Sequence, residues 1–190
     1  MKKLFIFFAF ISFISVHLGA TNENNHDECI PEKSPDMKER QFSKEFVGTF
    51  NGKKLTYTAS LKEKILYEKD NPDIPMASFF YTEYVADSDK NRPVMFSFNG
   101  GPGSASLWLH IGALGPKVVK VPSDASDDGS PPYKMVDNKL SPLSDADLVF
   151  IDPIGTGYSR AIGCHDPKEF WGVNEDPKII AEFIRRWIND

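Results

Sequence analysis

The sequence predicts an α/β fold with a largely parallel core, and three observations carry that expectation. An apolar run, "PVMFSF" (93–98), stops at Asn99 and gives way to a glycine-rich turn and then to "ASLWLHIGALG" (105–115), which has helical spacing. A second apolar run, "DLVFID" (147–152), is followed directly by "PIGTGYS" (153–159), another glycine-punctuated turn. The last segment repeats Ile179, Ile180, Phe183, Ile184, Trp187 and Ile188 at helical intervals, behind Asp176 and Pro177 as start signals. Strand, glycine turn, helix, repeated, is the rhythm of helices packed on a sheet.

The elements follow in order. "MKK", then "LFIFFAFISFISV", then "HLGA" has the layout of a secretory signal peptide over 1–20, with cleavage expected after Ala20. Its apolar run of about 13 residues is shorter than the ~20 a membrane span needs, so no stable membrane anchor is expected after cleavage. Residues 21–41 are polar and charged and read as a flexible lead-in with too little apolar surface to offset its ordering entropy. "KLTYTAS" (54–60) and "MASFFYTEYVA" (76–86) alternate as strands do and form an antiparallel start to the same sheet. "DSDKNR" (87–92) is a polar turn, Gly115 and Pro116 close the first helix, and "VPSDASDDGSPPY" (121–133) is a surface loop. Arg185, Arg186 and Glu182 fall on the side of the last helix away from its apolar stripe. The organisation is therefore 1–20 leader, 21–41 lead-in and 42–190 a single α/β unit.

Charge and ligand chemistry narrow the function. The formal net charge is −5 and no basic stripe appears, which speaks against a nucleic-acid partner. Export to an oxidising compartment, periplasmic or extracellular, permits a Cys29–Cys164 disulfide, although either thiol could equally bond a cysteine outside the chain. No Cys or His cluster has metal-ligand spacing, and no cofactor is expected. His26, His110 and His165 are scattered and read as surface or packing residues.

The stretch "NGGPGSAS" (99–106) raises the sharpest question. A phosphate-binding loop needs Lys and Ser or Thr after its last glycine, and Gly103 is followed by "SAS". A dinucleotide fingerprint would need glycine at 106, where the chain has Ser106. An oxyanion hole fits better, because a glycine N–H can approach a developing negative charge with no side chain between, and Pro102 stiffens the turn. A tight strand-to-helix turn without chemistry remains the alternative on these residues alone.

"NGGPGSAS", "NKLSPLSDADLVFIDPIGTGYSR" and "FWGVNEDPKIIAEFI" together resemble the serine carboxypeptidase family, and the chain is similar to its bacterial secreted members from about residue 45 to 190. The resemblance implies an α/β-hydrolase fold, incomplete here, running through the helix that precedes the nucleophile strand. It implies that Gly101 donates its N–H to the tetrahedral oxyanion. Asn99 and the N–H of Gly100 would bind the free α-carboxylate of a peptide, making the enzyme an exopeptidase. Tyr158 and Ser159 could line the cleft or pack. The proline iminopeptidase group is the close competitor, but it carries His where this chain has Asn99. Two departures stand out: Ser104 replaces a cysteine common after "GGPG", and Ser97 replaces a tryptophan common two positions before the Asn.

No G-x-S-x-G occurs, and the nucleophile Ser, Asp and His are expected beyond Asp190. Ser104, Ser106 and Ser159 are poor substitutes, since none sits in such an elbow. The expectation is thus an N-terminal portion of a longer hydrolase, inactive alone, with the outer edge of "PVMFSF" left open and prone to aggregation. A secreted, non-catalytic peptide-binding remnant is the reading from another class. The short Lys-Lys leader and the lack of an N-x-S/T acceptor are compatible with a bacterium.

Overall fold

The computed structural model describes residues 4–6, 37–88, 91–100, 103–121 and 131–189. The leader beyond Leu4–Ile6, Cys29, His26, most of the 21–41 lead-in and most of the 121–133 loop lie outside the described residues. Three long strands form the body of one sheet: β2 (Gln41–Phe50), β3 (Lys53–Tyr67) and β4 (Pro75–Ala86), paired antiparallel in sequence order. A two-residue Asn51–Gly52 turn joins β2 to β3, with φ of 48° and 77°, as a tight hairpin requires. β5 (Val94–Ser97) and β8 (Asp147–Ile151) extend the sheet on the far side of β4. Counting from one edge, the order is β2-β3-β4-β8-β5, closed by β1 (Leu4–Ile6), while the two-residue β9 (Arg160–Ala161) pairs with β4.

The sheet is mixed and helix-poor, compatible with an α/β fold, but the largely parallel core expected from the sequence needs correction. Only β5/β8 and β1/β5 run parallel; every other pairing in this sheet is antiparallel. Parallel neighbours need a long crossover, and among the described elements the β5-to-β8 passage supplies one. The outer edge of β5, expected to be open once the leader is lost, is covered in the full 190-residue chain. Leu4, Phe5 and Ile6 pair in parallel with Val94, Met95 and Phe96, so part of the leader itself occupies that edge.

Strand alternation divides the core in two. Phe79 and Tyr81 of β4 face the long helix α2 (Glu175–Asn189), with Phe183 5.2 Å from Phe79 and 5.0 Å from Tyr81. Ile180, Phe183 and Ile184 are buried there, each worth about 1.5–3 kcal/mol relative to exposure. Trp187 completes the seam edge-on to Phe96, its Nε1 donating to Glu83 at 3.1 Å, whereas Ile188 is largely exposed. Glu182 pairs with both Arg185 and Arg186 on the outer side. Asp176, expected as a cap, sits inside the first turn. The opposite face buries Phe50, Tyr57, Leu143, Leu148 and Phe150.

Smaller elements surround this frame. The helix expected over 105–115 is a single α turn, α1 (Leu107–Leu109), continued by a π turn over His110–Leu114. A short hairpin, β6 (Lys117–Val119) with β7 (Met135–Asp137), stands outside the main sheet. At the other end the lead-in stops short of Gln41, which already begins β2, and Arg40 before it is tied to Glu63 by a bidentate ion pair at 2.7 and 3.1 Å. Cys164 is disulfide-bonded.

Candidate active site

β5 and β8 are parallel neighbours with Ser97 opposite Phe150, so the chain leaves both at the same edge of the sheet. The two glycine turns, 98–106 and 152–159, therefore stand side by side, at the carboxyl end where α/β proteins gather ligands. Gly103 has φ 104°, a conformation side chains disfavour, and this lets the backbone reverse before α1.

Asn99 is half-buried and its geometry is set by the turn. Its backbone N–H donates to Ser106 Oγ at 3.2 Å, and its Nδ2 donates to Ser104 Oγ at 2.8 Å. The Ser104 hydroxyl passes its own proton toward Ala105 O at 3.4 Å, which leaves a lone pair for Asn99. One hydrogen of the Asn99 amide is thus used, and among the described residues the second has no hydrogen-bond partner. Gly100 is exposed, and a Cβ placed on it would meet nothing within 4 Å. Gly101, expected to carry the oxyanion N–H, and Pro102 lie outside the described residues.

Ser106 links the two turns. It is 1 % exposed; its N–H donates to Asp152 Oδ1 at 2.9 Å, and its hydroxyl donates to Ile151 O at the end of β8. Asp152 is pressed against Gly157, whose φ is 51°: a Cβ there would lie 2.1 Å from Asp152 Oδ2. Burial pushes the Asp152 carboxyl above its usual range, opposed by the hydrogen bond from Ser106 N–H. Neither Asp152 nor Ser106 was singled out as functional from the sequence. The only local signal was an acid at the exact end of an apolar strand, just before a glycine turn.

Beside this network is a cavity of about 240 Å³ lined by Leu61, Phe80, Leu107, His110, Asp152 and Tyr158. Tyr158 is 71 % exposed with its ring 5.7 Å from Phe80, so it lines the cleft. Ser159 does not: it is fully buried and its Oγ accepts from Phe80 N–H at 2.8 Å. His110 forms the floor, stacked on Phe150 at 4.6 Å with Nε2 2.6 Å from Tyr84 Oη. Burial lowers its pKa to about 4, so it is neutral at ordinary pH. His165 lies elsewhere, bonded to Glu169 and Glu68. The hydroxyls of Ser104, Ser106 and Ser159 are engaged with the partners described above, and among the described residues none of these bonds reaches a histidine. The Ser97 hydroxyl is buried and makes no hydrogen bond among the described residues.

A serine carboxypeptidase family profile matches residues 67–190. The chain is 37 % identical over 93 residues to the pheromone-processing carboxypeptidase KEX1 of Saccharomyces cerevisiae strain JAY291, covering 48 % of this chain and 11 % of that protein. It is 33 % identical over 107 residues to carboxypeptidase Y homolog A of Trichophyton tonsurans, 56 % of this chain and 18 % of that one. It is 27 % identical over 120 residues to serine carboxypeptidase-like 29 of Arabidopsis thaliana, 62 % of this chain and 23 % of that one. The chain thus spans between a tenth and a quarter of the length of these relatives. No solved structure matches it.

Proposed function

Because this chain belongs to the serine carboxypeptidase family, we propose that it is the N-terminal portion of an exported, α/β-hydrolase-type carboxypeptidase that removes the C-terminal residue of peptides. Asn99 and the Gly100 N–H hold the free α-carboxylate of the substrate. Gly101 N–H then faces the scissile carbonyl oxygen. A serine from beyond Asp190 attacks that carbonyl, a histidine takes the serine proton and returns it to the leaving amine, and water releases the acyl group. The Gly101 donor matters most as the carbonyl oxygen becomes an oxyanion, because a preorganised N–H stabilises charge that develops only in the transition state.

One observation supports the reading above the others: the Asn99 backbone is held by Ser106 and its side-chain amide by Ser104, with one amide N–H unpaired among the described residues, next to an unobstructed glycine. An amide N–H beside a bare backbone N–H suits a carboxylate, and a substrate gripped by its terminal carboxylate is cut one residue from its end. The 190-residue chain alone is inactive on this reading. Assayed on an N-blocked dipeptide at acidic and neutral pH, it should show no turnover sensitive to serine-directed phosphonates; such turnover would overturn the assignment of the nucleophile to a later segment. The reading frame after Asp190 should encode a strand followed by G-x-S-x-G.

A non-catalytic peptide-binding module is the second reading. It draws on the engaged hydroxyls of Ser104, Ser106 and Ser159, which leave a carboxylate clamp without an activated nucleophile beside it. Export rests on the leader over 1–20.

A further inference from the structure

We propose that Asp152 is a positioning residue for carboxylate recognition, holding Asn99 in its receiving orientation through Ser106. This deepens the carboxypeptidase reading and rests on it. Three hydrogen bonds in series make the connection. Asp152 Oδ1 accepts the Ser106 N–H at 2.9 Å; the Ser106 hydroxyl donates to Ile151 O; and the same hydroxyl accepts the Asn99 N–H at 3.2 Å. Ser106 is 1 % exposed, so solvent does not readily replace any of these partners.

The series fixes direction as well as distance. With the Ser106 N–H anchored on β8's exit turn and its hydroxyl proton on the β8 carbonyl, the hydroxyl lone pair faces Asn99. That sets the Asn99 backbone, and the Ser104 contact then sets its amide plane. The Asp152 carboxyl takes this position because Gly157 leaves it room, filling space that a Cβ there would occupy. An acceptor oxygen is what the geometry requires of residue 152, not its charge. Burial, which disfavours the ionised carboxyl, is consistent with that role.

The test uses the 190-residue chain labelled with ¹⁵N and an N-acetylated dipeptide as probe, in free-acid and amidated forms. Asp152→Ala should speed Ser106 N–H exchange by about tenfold or more, shift the Asn99 side-chain amide signals and weaken free-acid binding by about tenfold. Asp152→Asn keeps an acceptor oxygen and should restore the wild-type values of all three. Asp152→Ala and Ser106→Ala break the same series, so their effects on free-acid binding should not add. Should Asp152→Ala fail to fold, Gly157→Ala keeps the carboxyl but drives it off its position, and the same shifts are expected. Unchanged Asn99 signals in Asp152→Ala, or a folded Asp152→Asn that fails to rescue, would overturn the positioning role. If the wild-type chain does not prefer the free acid, the carboxylate reading fails, while the exchange and amide signals still decide whether Asp152 positions Asn99.

Discussion

Replacing His110 with phenylalanine should convert an acid-sensitive fold into a less sensitive one. His110 is half-buried, stacked on Phe150, and hydrogen-bonded to the Tyr84 hydroxyl, and desolvation lowers its pKa from 6.5 to about 4. As pH drops from 6.5 toward 4, the unfolded chain binds a proton at this site and the folded chain does not. Stability therefore falls with falling pH across that window and levels off below it. At ~1.4 kcal/mol per tenfold change in proton affinity, the full effect is about 3 kcal/mol, of which about 2 kcal/mol is already lost at pH 5. Phenylalanine keeps the stacking but leaves the Tyr84 hydroxyl without its partner, costing about 1–3 kcal/mol at pH 7. The wild type should thus be the more stable protein at pH 7, and its advantage should shrink by about 2 kcal/mol at pH 5.

Urea unfolding followed by tryptophan fluorescence at both pH values measures this. The Glu63, Glu169 and Glu182 carboxyls, held low by Arg40, His165 and Arg185, also lose stabilisation as pH falls through their folded values. His165 acts in the opposite sense. Burial lowers it, but hydrogen bonds to Glu169 and Glu68 outweigh that and raise it, so its contribution is full at low pH and lost as pH rises through its folded value. All four are common to both proteins and cancel in the difference. A wild-type advantage that does not change between pH 7 and pH 5 would refute the assignment of His110 as a half-buried neutral ring.

Other expectations concern packing and the sheet edge. Ser97→Ala removes a buried hydroxyl without a hydrogen-bond partner among the described residues, so the urea midpoint should hold or rise by the equivalent of about 1 kcal/mol; a loss of that size would mean the hydroxyl has a partner. A chain beginning at Thr21 lacks Leu4–Ile6 and uncovers the outer edge of β5. Light scattering should show it associating more than the 190-residue chain, and a monomer that melts cooperatively would count against the edge argument.

The fold was legible where burial writes a period into the sequence. β4 and α2 each bury one stripe, and both were found. β2 was missed because it is an edge strand whose residues are mostly exposed, leaving little alternation; the Asn51–Gly52 pair was the available hairpin signal. β7 is wholly exposed and carries no period at all. The π turn at His110–Leu114 replaced the expected regular helix, its wide loop closed by Gly115 N–H donating to His110 O at 2.8 Å. In the site, the glycine turn announced itself by composition. Asp152 and Ser106 did not, since they stand 46 positions apart and meet only because β5 and β8 lie side by side in parallel.

The most direct test of carboxylate recognition is equilibrium binding of an N-acetylated dipeptide, as free acid and as amide, to the wild-type chain and to Asn99→Ala. A hydrogen bond to a charged group is worth about 1.5–3 kcal/mol, so the free acid should bind wild type at least about tenfold more tightly than the amide, and Asn99→Ala should cut that preference by about tenfold, leaving only the Gly100 N–H contribution. Equal affinity of the wild-type chain for acid and amide, or a preference undiminished in Asn99→Ala, would contradict it.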